Sequence, residues 1–244
     1  MLGLRGVVLL ALLQPLIFPG ASAFPHEQKV LEFLGHEKND KTAHNVIHEL
    51  KKAEIIPTVI DEFIPALLVD AEWSDDEYAS LGNTLKPKQL QETPSIKLTP
   101  IAESAFGLSD SNLTYAVTLT DPDAPSRDDP KWAEMCHWIA TGLSISSSSA
   151  DVGSRSDAEV GVMPLKDIMP YKPPGPPAKT GKHRYVFLIF APANGTTESL
   201  NLTKPDDRQH WGTGKERHGV RDWALDNGLV PVAANFIYAQ NKKQ

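Results

Sequence analysis

One cysteine, Cys136, is all the thiol this 244-residue chain contains. No intrachain disulfide can form, even in an oxidising compartment, so packing has to hold the fold. Its neighbours Met135 and Trp138 favour a buried thiol over a reactive one. Positive charge is also scarce. Without residues 1–23, which hold one Arg and no acid, the chain carries 23 basic against 31 acidic side chains, a formal −8. Nucleic acid is therefore not an expected partner, because phosphate-backbone binding needs a basic face. The chain also lacks G-x-S-x-G, H-E-x-x-H and C-x-x-C, so no common hydrolase elbow or metal-ligand pair announces itself.

Long apolar runs are confined to the amino terminus. Arg5 precedes the nearly all-apolar Val7 to Phe18, and Ala21-Ser22-Ala23 supplies small residues at a cleavage position. This is the pattern of a secretory signal peptide cleaved after Ala23. The run includes Pro15 and falls short of the roughly 20 residues a bilayer span needs, which disfavours a retained anchor. Secretion, or delivery through the secretory pathway to a vacuole, is the expected destination. The sequons at Asn112, Asn194 and Asn201 agree with it and are expected to be glycosylated.

From Glu27 to Ile56 the apolar spacing is helical, through Val30, Phe33 and Leu34 and again through Val46, Ile47 and Leu50. Two helices are predicted, parted by the polar stretch Glu37 to Lys41, with Thr42 capping the second and Pro57 stopping it. His44 and His48 lie four apart, a metal-ligand spacing, but with no third ligand evident they read as a solvated face. Residues 24–56 are thus expected as a helical segment and 57–244 as one domain. That domain's short apolar runs, separated by turn residues, imply a mainly β, antiparallel β-sandwich with peripheral helices. Ser144 to Glu159 is predicted to be a surface loop, and the proline-rich Pro164 to His183 a stiff loop without regular structure. Val220 to Leu229 is expected to be helical and Val232 to Tyr238 the last strand.

The most informative stretch runs from Tyr115 to His137. Tyr115, Val117 and Leu119 alternate with small or polar residues as in a half-buried strand, and Pro122, Pro125 and Pro130 then force a rigid rim. Asp121 and Asp123 sit on it one residue apart, a pairing that is costly unless donors or a cation face them. Their plainer reading is as turn caps, with the histidines nearby as core fillers. Arg127 is expected to neutralise Asp123 or a neighbouring carboxylate, and Arg184, between His183 and Tyr185 on a strand, to face away from both.

Asp121-Pro122-Asp123-Ala124-Pro125-Ser126-Arg127, then Cys136-His137, then Gly175-Pro176-Pro177 through Gly181-x-His183-Arg184-Tyr185 together resemble the signatures of the phosphatidylethanolamine-binding protein family. Lys131 to His137, Trp211-Gly212-Thr213-Gly214 and Val232 to Ala239 resemble most its fungal carboxypeptidase Y inhibitor branch. The resemblance covers roughly Ala43 to Gln240. It implies a large central sheet with a smaller one, and a small anion pocket where the signatures meet. Carried over by motif, its ligand-binding residues are Asp121, Asp123, Pro125, Trp132 at the mouth, His137, Gly175, Pro176, Pro177, His183 and Tyr185.

The implied function is non-catalytic binding of phosphate or a phospholipid head group by a monomer, with peripheral membrane contact open to it, and inhibition of a serine carboxypeptidase. No cofactor, metal or catalytic residue is expected. Chemically, His137, His183, Tyr185 and loop N–H groups could donate to an anion, with Asp121 orienting one imidazole and raising its pKa so that it stays a donor. The rival reading is a hydrolase or metal-dependent enzyme using Asp121, His137 and His183.

Overall fold

The computed structural model describes residues 37–101, 113–145 and 165–243, all within one unit spanning Leu31–Gln244. The signal-peptide pattern, the first predicted helix, Asn112 and all but the first two residues of the Ser144 to Glu159 stretch lie outside the described residues.

The first described element is helix α1 (Glu37–Lys52). It runs straight through the polar stretch expected to interrupt it, and Thr42 is interior instead of a cap. Polar residues do not end a helix by themselves when, a turn later, Val46 and Leu50 bury an apolar stripe and His44, Asn45 and His48 take the solvent side.

Six strands, β3 (Asn83–Leu85), β9 (Leu229–Gln240), β8 (Lys182–Pro192), β5 (Tyr115–Asp121), β6 (Met135–Leu143) and β7 (Lys166–Met169), pair in that order into the main sheet. It is antiparallel except where β3 runs parallel to β9. β1 (Leu67–Ser74), flanked by β2 (Glu77–Tyr78) and β4 (Ser95–Pro100), forms the second sheet. β7 lies inside the stretch predicted to lack regular structure. Its four residues precede the first proline of the wall, Pro170, so their N–H groups remain able to pair with β6.

Alternation sorts the main sheet's side chains into two cores. Tyr115, Val117, Leu119, Trp138, Phe187 and Ile189 face the small sheet, where Val69, Ala71 and Leu98 meet them. Ala116, Ile139, Val186, Leu188 and Phe190 face the other way. They pack under α1 and helix α2 (Val220–Asp226) through Val46, Leu50, Val220 and Trp223. The molecule is therefore a mainly β, two-sheet sandwich with peripheral helices. Cys136 is in the helix-side core, where burial pushes its thiol up to about 12. β5 ends at Asp121, where the prolines begin.

Candidate functional site

β5 delivers Asp121 to the sheet's end, and the rim returns along Pro122 to Pro130 into β6. β8 runs antiparallel beside β5 and brings His183 and Tyr185 to the same end. Asp121 is 3% exposed and is saturated with donors. Its Oδ2 faces His183 Nδ1 at 2.9 Å, its Oδ1 accepts the Asp123 N–H at 2.8 Å, and the Tyr185 hydroxyl is hydrogen-bonded to it. Burial, reinforced by that carboxylate, raises the Tyr185 phenol well above its ordinary value, so it remains an O–H donor. The other nitrogen of His183, Nε2, lies 3.0 Å from Thr180 Oγ1, whose hydroxyl donates to Pro177 O. Both nitrogens of His183 are thus engaged by the protein.

His137 comes from β6 and stands edge-on to Tyr185, with ring centroids 5.2 Å apart, while His183 stacks nearly parallel to the same ring. Its Nδ1 donates to Lys172 O at 2.7 Å, which places the ring proton there and leaves Nε2 bare. Burial lowers its pKa to about 4, outweighing the upward pull of Asp121. The one imidazole that Asp121 orients is His183, and His137, which it does not hold, is neutral at ordinary pH. Its ring presents a lone pair, not a proton.

The proline wall supplies the rest. Pro174 and Pro176 are buried, Gly175 and Pro177 are exposed, and the Gly175 backbone hydrogen-bonds the Tyr185 hydroxyl. Asn241 Nδ2 donates to Pro176 O, and the Lys179 N–H donates to Lys243 O, so the residues after β9 brace this wall. Pro125 is half-buried on the rim, and Trp132 is exposed with its N–H on Ala124 O. Thus Asp121, His137, Gly175, His183 and Tyr185 are joined by direct contacts, with Pro176 and Pro177 on the wall they share.

Asp123 touches this group only through its backbone N–H. Its carboxylate is bound by Arg184, through Nη2 at 2.5 Å, Nε at 2.9 Å and the backbone N–H at 2.7 Å. Arg184 Nη1 donates also to Ala53 O and Glu54 O, the last carbonyls after α1. As alternation along β8 requires, this pair lies on the side opposite His183. Arg127 pairs with Glu54 at 2.8 Å, a neighbouring carboxylate.

Sequence reasoning missed Arg208, which clamps β6 to the wall by donating to Cys136 O, His137 O and Pro170 O. It also missed Glu134, buried on the helix side. Neither carries a local signal, since each partner arrives from a distant strand or loop. His44 and His48 are exposed on α1, and among the described residues no three His, Cys, Asp or Glu side chains are arranged to hold a metal.

Residues 75–237 match the family described as phosphatidylethanolamine-binding protein, and the chain belongs to it. Among particular relatives, it is 33% identical over 211 residues to the carboxypeptidase Y inhibitor of Saccharomyces cerevisiae, covering 80% of this chain and 95% of that protein. It is 28% identical over 201 residues to CEN-like protein 1 of Nicotiana tabacum, covering 82% and 96% of the two chains. The crystal structure of carboxypeptidase Y inhibitor complexed with its cognate proteinase superposes with a TM-score of 0.69 at 28% identity, over 82% of this chain and 97% of that one. The phosphatidylethanolamine-binding protein from Plasmodium vivax shares the fold, with a TM-score of 0.62 at 20% identity over 80% of this chain and 97% of that one.

Proposed function

We propose that this chain is a non-catalytic binding protein whose Asp121-centred pocket takes phosphate or a phospholipid head group, and that it inhibits a serine carboxypeptidase. The observation that carries the pocket is the bare Nε2 of His137, one unfilled position amid otherwise satisfied groups. His183 and Tyr185 are spent on Asp121, so they shape the pocket more than they grip its ligand.

That geometry sets a pH rule. A neutral His137 accepts, so an oxyanion bound there must bring a proton, as hydrogen phosphate does, or bind together with one from solvent. Sulfate has no proton to bring at these pH values. Asp121 favours the added proton, while Lys172 and Arg208 oppose it. Sulfate affinity should therefore fall by up to about tenfold per pH unit from the pKa of the free ring, about 4, up to that of the ligand-bound ring. Phosphate and phosphoethanolamine should fall less. NMR titration of the His137 ring signals between pH 5 and pH 8 (roughly one to four units above the free ring's value) tests this. Sulfate affinity that does not change with pH, or no response at His137, would defeat the pocket assignment.

The inhibitor clause draws its support from the relative named for that activity. Titrating a carboxypeptidase Y-type enzyme with the chain beginning at Phe24 should abolish peptidase activity stoichiometrically. Full activity at micromolar protein would remove this clause and leave the pocket standing. Entry into the secretory pathway and glycosylation belong to the same reading. Asn194 and Asn201 are both exposed, as an attached glycan requires.

A further inference from the structure

Beyond β7 the proline wall has few N–H groups to offer its neighbour. Pro170, Pro173, Pro174, Pro176 and Pro177 have none, so the ladder that joins β6 to β7 cannot run on past its last pair, Ile139 with Met169. Among the described residues a single backbone bond continues it, from the Lys172 N–H to His137 O at 2.8 Å. Arg208 supplies the rest. Its Nη1 donates to Cys136 O and His137 O, both at 3.1 Å, and its Nη2 donates to Pro170 O at 2.8 Å, so one planar fork holds strand and wall together. Its own backbone is fixed to the same strand, because Arg208 O accepts the Cys136 N–H at 2.7 Å and Gln209 bridges to Met135. Tyr171 donates to Leu90 O and so anchors the wall elsewhere, not to β6.

What this clamp holds in place is the partner of His137. The two residues are doubly joined: Lys172 donates its N–H to His137 O, and the His137 Nδ1–H donates to Lys172 O at 2.7 Å. Such a bond decides which nitrogen of a neutral imidazole carries the proton. Were Lys172 O to drift, the proton could move to Nε2, and the ring would offer the pocket a donor in place of a lone pair.

We infer that Arg208 is a positioning residue that selects the ligand. By holding the Lys172 carbonyl against His137 it keeps Nε2 bare, so the pocket prefers an oxyanion that brings its own proton, hydrogen phosphate or a phosphate monoester, over one that has none. The inference rests on the reading of the Asp121-centred pocket as an anion site, and Arg208 acts through His137, not by touching the anion. Charge works in the same direction. Burial, Lys172 and Arg208 all disfavour a second proton on the ring, against the pull of Asp121. The other titratable groups beside it, His183 and Tyr185, are hydrogen-bonded to Asp121.

Long-range proton–nitrogen NMR of the His137 ring in the full chain, without ligand, reads the tautomer directly. The native ring should show a protonated Nδ1 and a bare Nε2 at neutral pH. Arg208→Met should mix in the form protonated on Nε2 and raise the ring's pKa. Its preference for phosphate over sulfate at neutral pH should then shrink by about tenfold for each unit of that rise. Taking the ratio of the two affinities cancels the charge lost with Arg208, which both anions feel. Arg208→Lys keeps the charge but cannot span the same carbonyls, so it too should show the mixed tautomer, with a smaller rise in pKa, and it carries the test should the Met variant not fold. A native ring in the Met variant, or full rescue by Lys, overturns the role of Arg208 and leaves the pocket standing. Altered rings with an unchanged phosphate-to-sulfate ratio overturn the selection. Altered rings with neither anion bound by the native chain overturn the pocket reading itself, and the selection with it.

Discussion

Replacing Arg184 by Met should lower the unfolding free energy by about 3–5 kcal/mol, the usual cost of stranding one member of a buried ion pair. Asp123, 1% exposed, would be left with only backbone N–H donation to offset its burial. The same substitution frees Ala53 O and leaves Glu54 O only the Thr58 hydroxyl, two carbonyls at the C-terminal end of α1 where a cation is favoured. The loss is thus both a bare carboxylate and a helix detached from the rim. Urea unfolding followed by tryptophan fluorescence should show a much lower midpoint with an unchanged slope. Arg127→Met is the control, since its pair with Glu54 is exposed and should leave the midpoint nearly unmoved. Equal midpoints for the two variants would mean that Arg184 and Asp123 are not a buried pair.

Glu134→Gln should stabilise the protein, increasingly so as the pH rises. The folded state holds the Glu134 proton up to about pH 8, whereas the unfolded chain releases it near the ordinary value of 4.5. A raised folded pKa means that the native state binds more protons between those limits. The native chain therefore loses stability as pH climbs through that window, by about 1.4 kcal/mol per unit as an upper bound. Gln has the same shape and nothing to titrate. The stability difference between variant and native protein should grow by about 2–3 kcal/mol over two pH units inside the window, then level off above pH 8 (roughly where ionisation completes). Because it is a difference, the protein's other carboxylates cancel. A difference flat from pH 5 to 8 (about the window's span) would show that Glu134 is not held neutral.

Both groups lie in stretches whose chemistry the sequence only half declares. The strand from Tyr115, the acidic rim and the Gly-Pro wall before His183 were legible because each is local: alternation, prolines and histidines all fall within a few residues. The partners were not. Arg184 reaches Asp123 across 61 positions, Arg208 reaches Cys136 across 72, and Val220 reaches Glu134 across 86. Glu134 sits in a run, Trp132-Ala133-Glu134-Met135, that reads as ordinary loop, and only the close approach of Gly219 shows how deeply it is set. Likewise the length of α1 depended on burial at Val46 and Leu50, which outweighs a polar first turn. Which imidazole Asp121 would orient was not legible, because His137 and His183 come from different strands; it is His183, while burial leaves His137 neutral.

The two acids of the rim also bear on how the chain finds its fold. Asp121 meets His183 on one face and Asp123 meets Arg184 on the other, adjacent bases from one strand answering alternate acids where β5 passes into the rim. Sliding β8 by a single residue would send Arg184 to the crowded side of Tyr185 and leave His183 facing the carbonyls after α1. Such a misalignment would strand two carboxylates at once, on top of turning every apolar side chain of β8 outside in. The Asp-Pro-Asp segment therefore discriminates against mispaired sheets during assembly, a task that needs no ligand and that any redesign of the pocket would inherit.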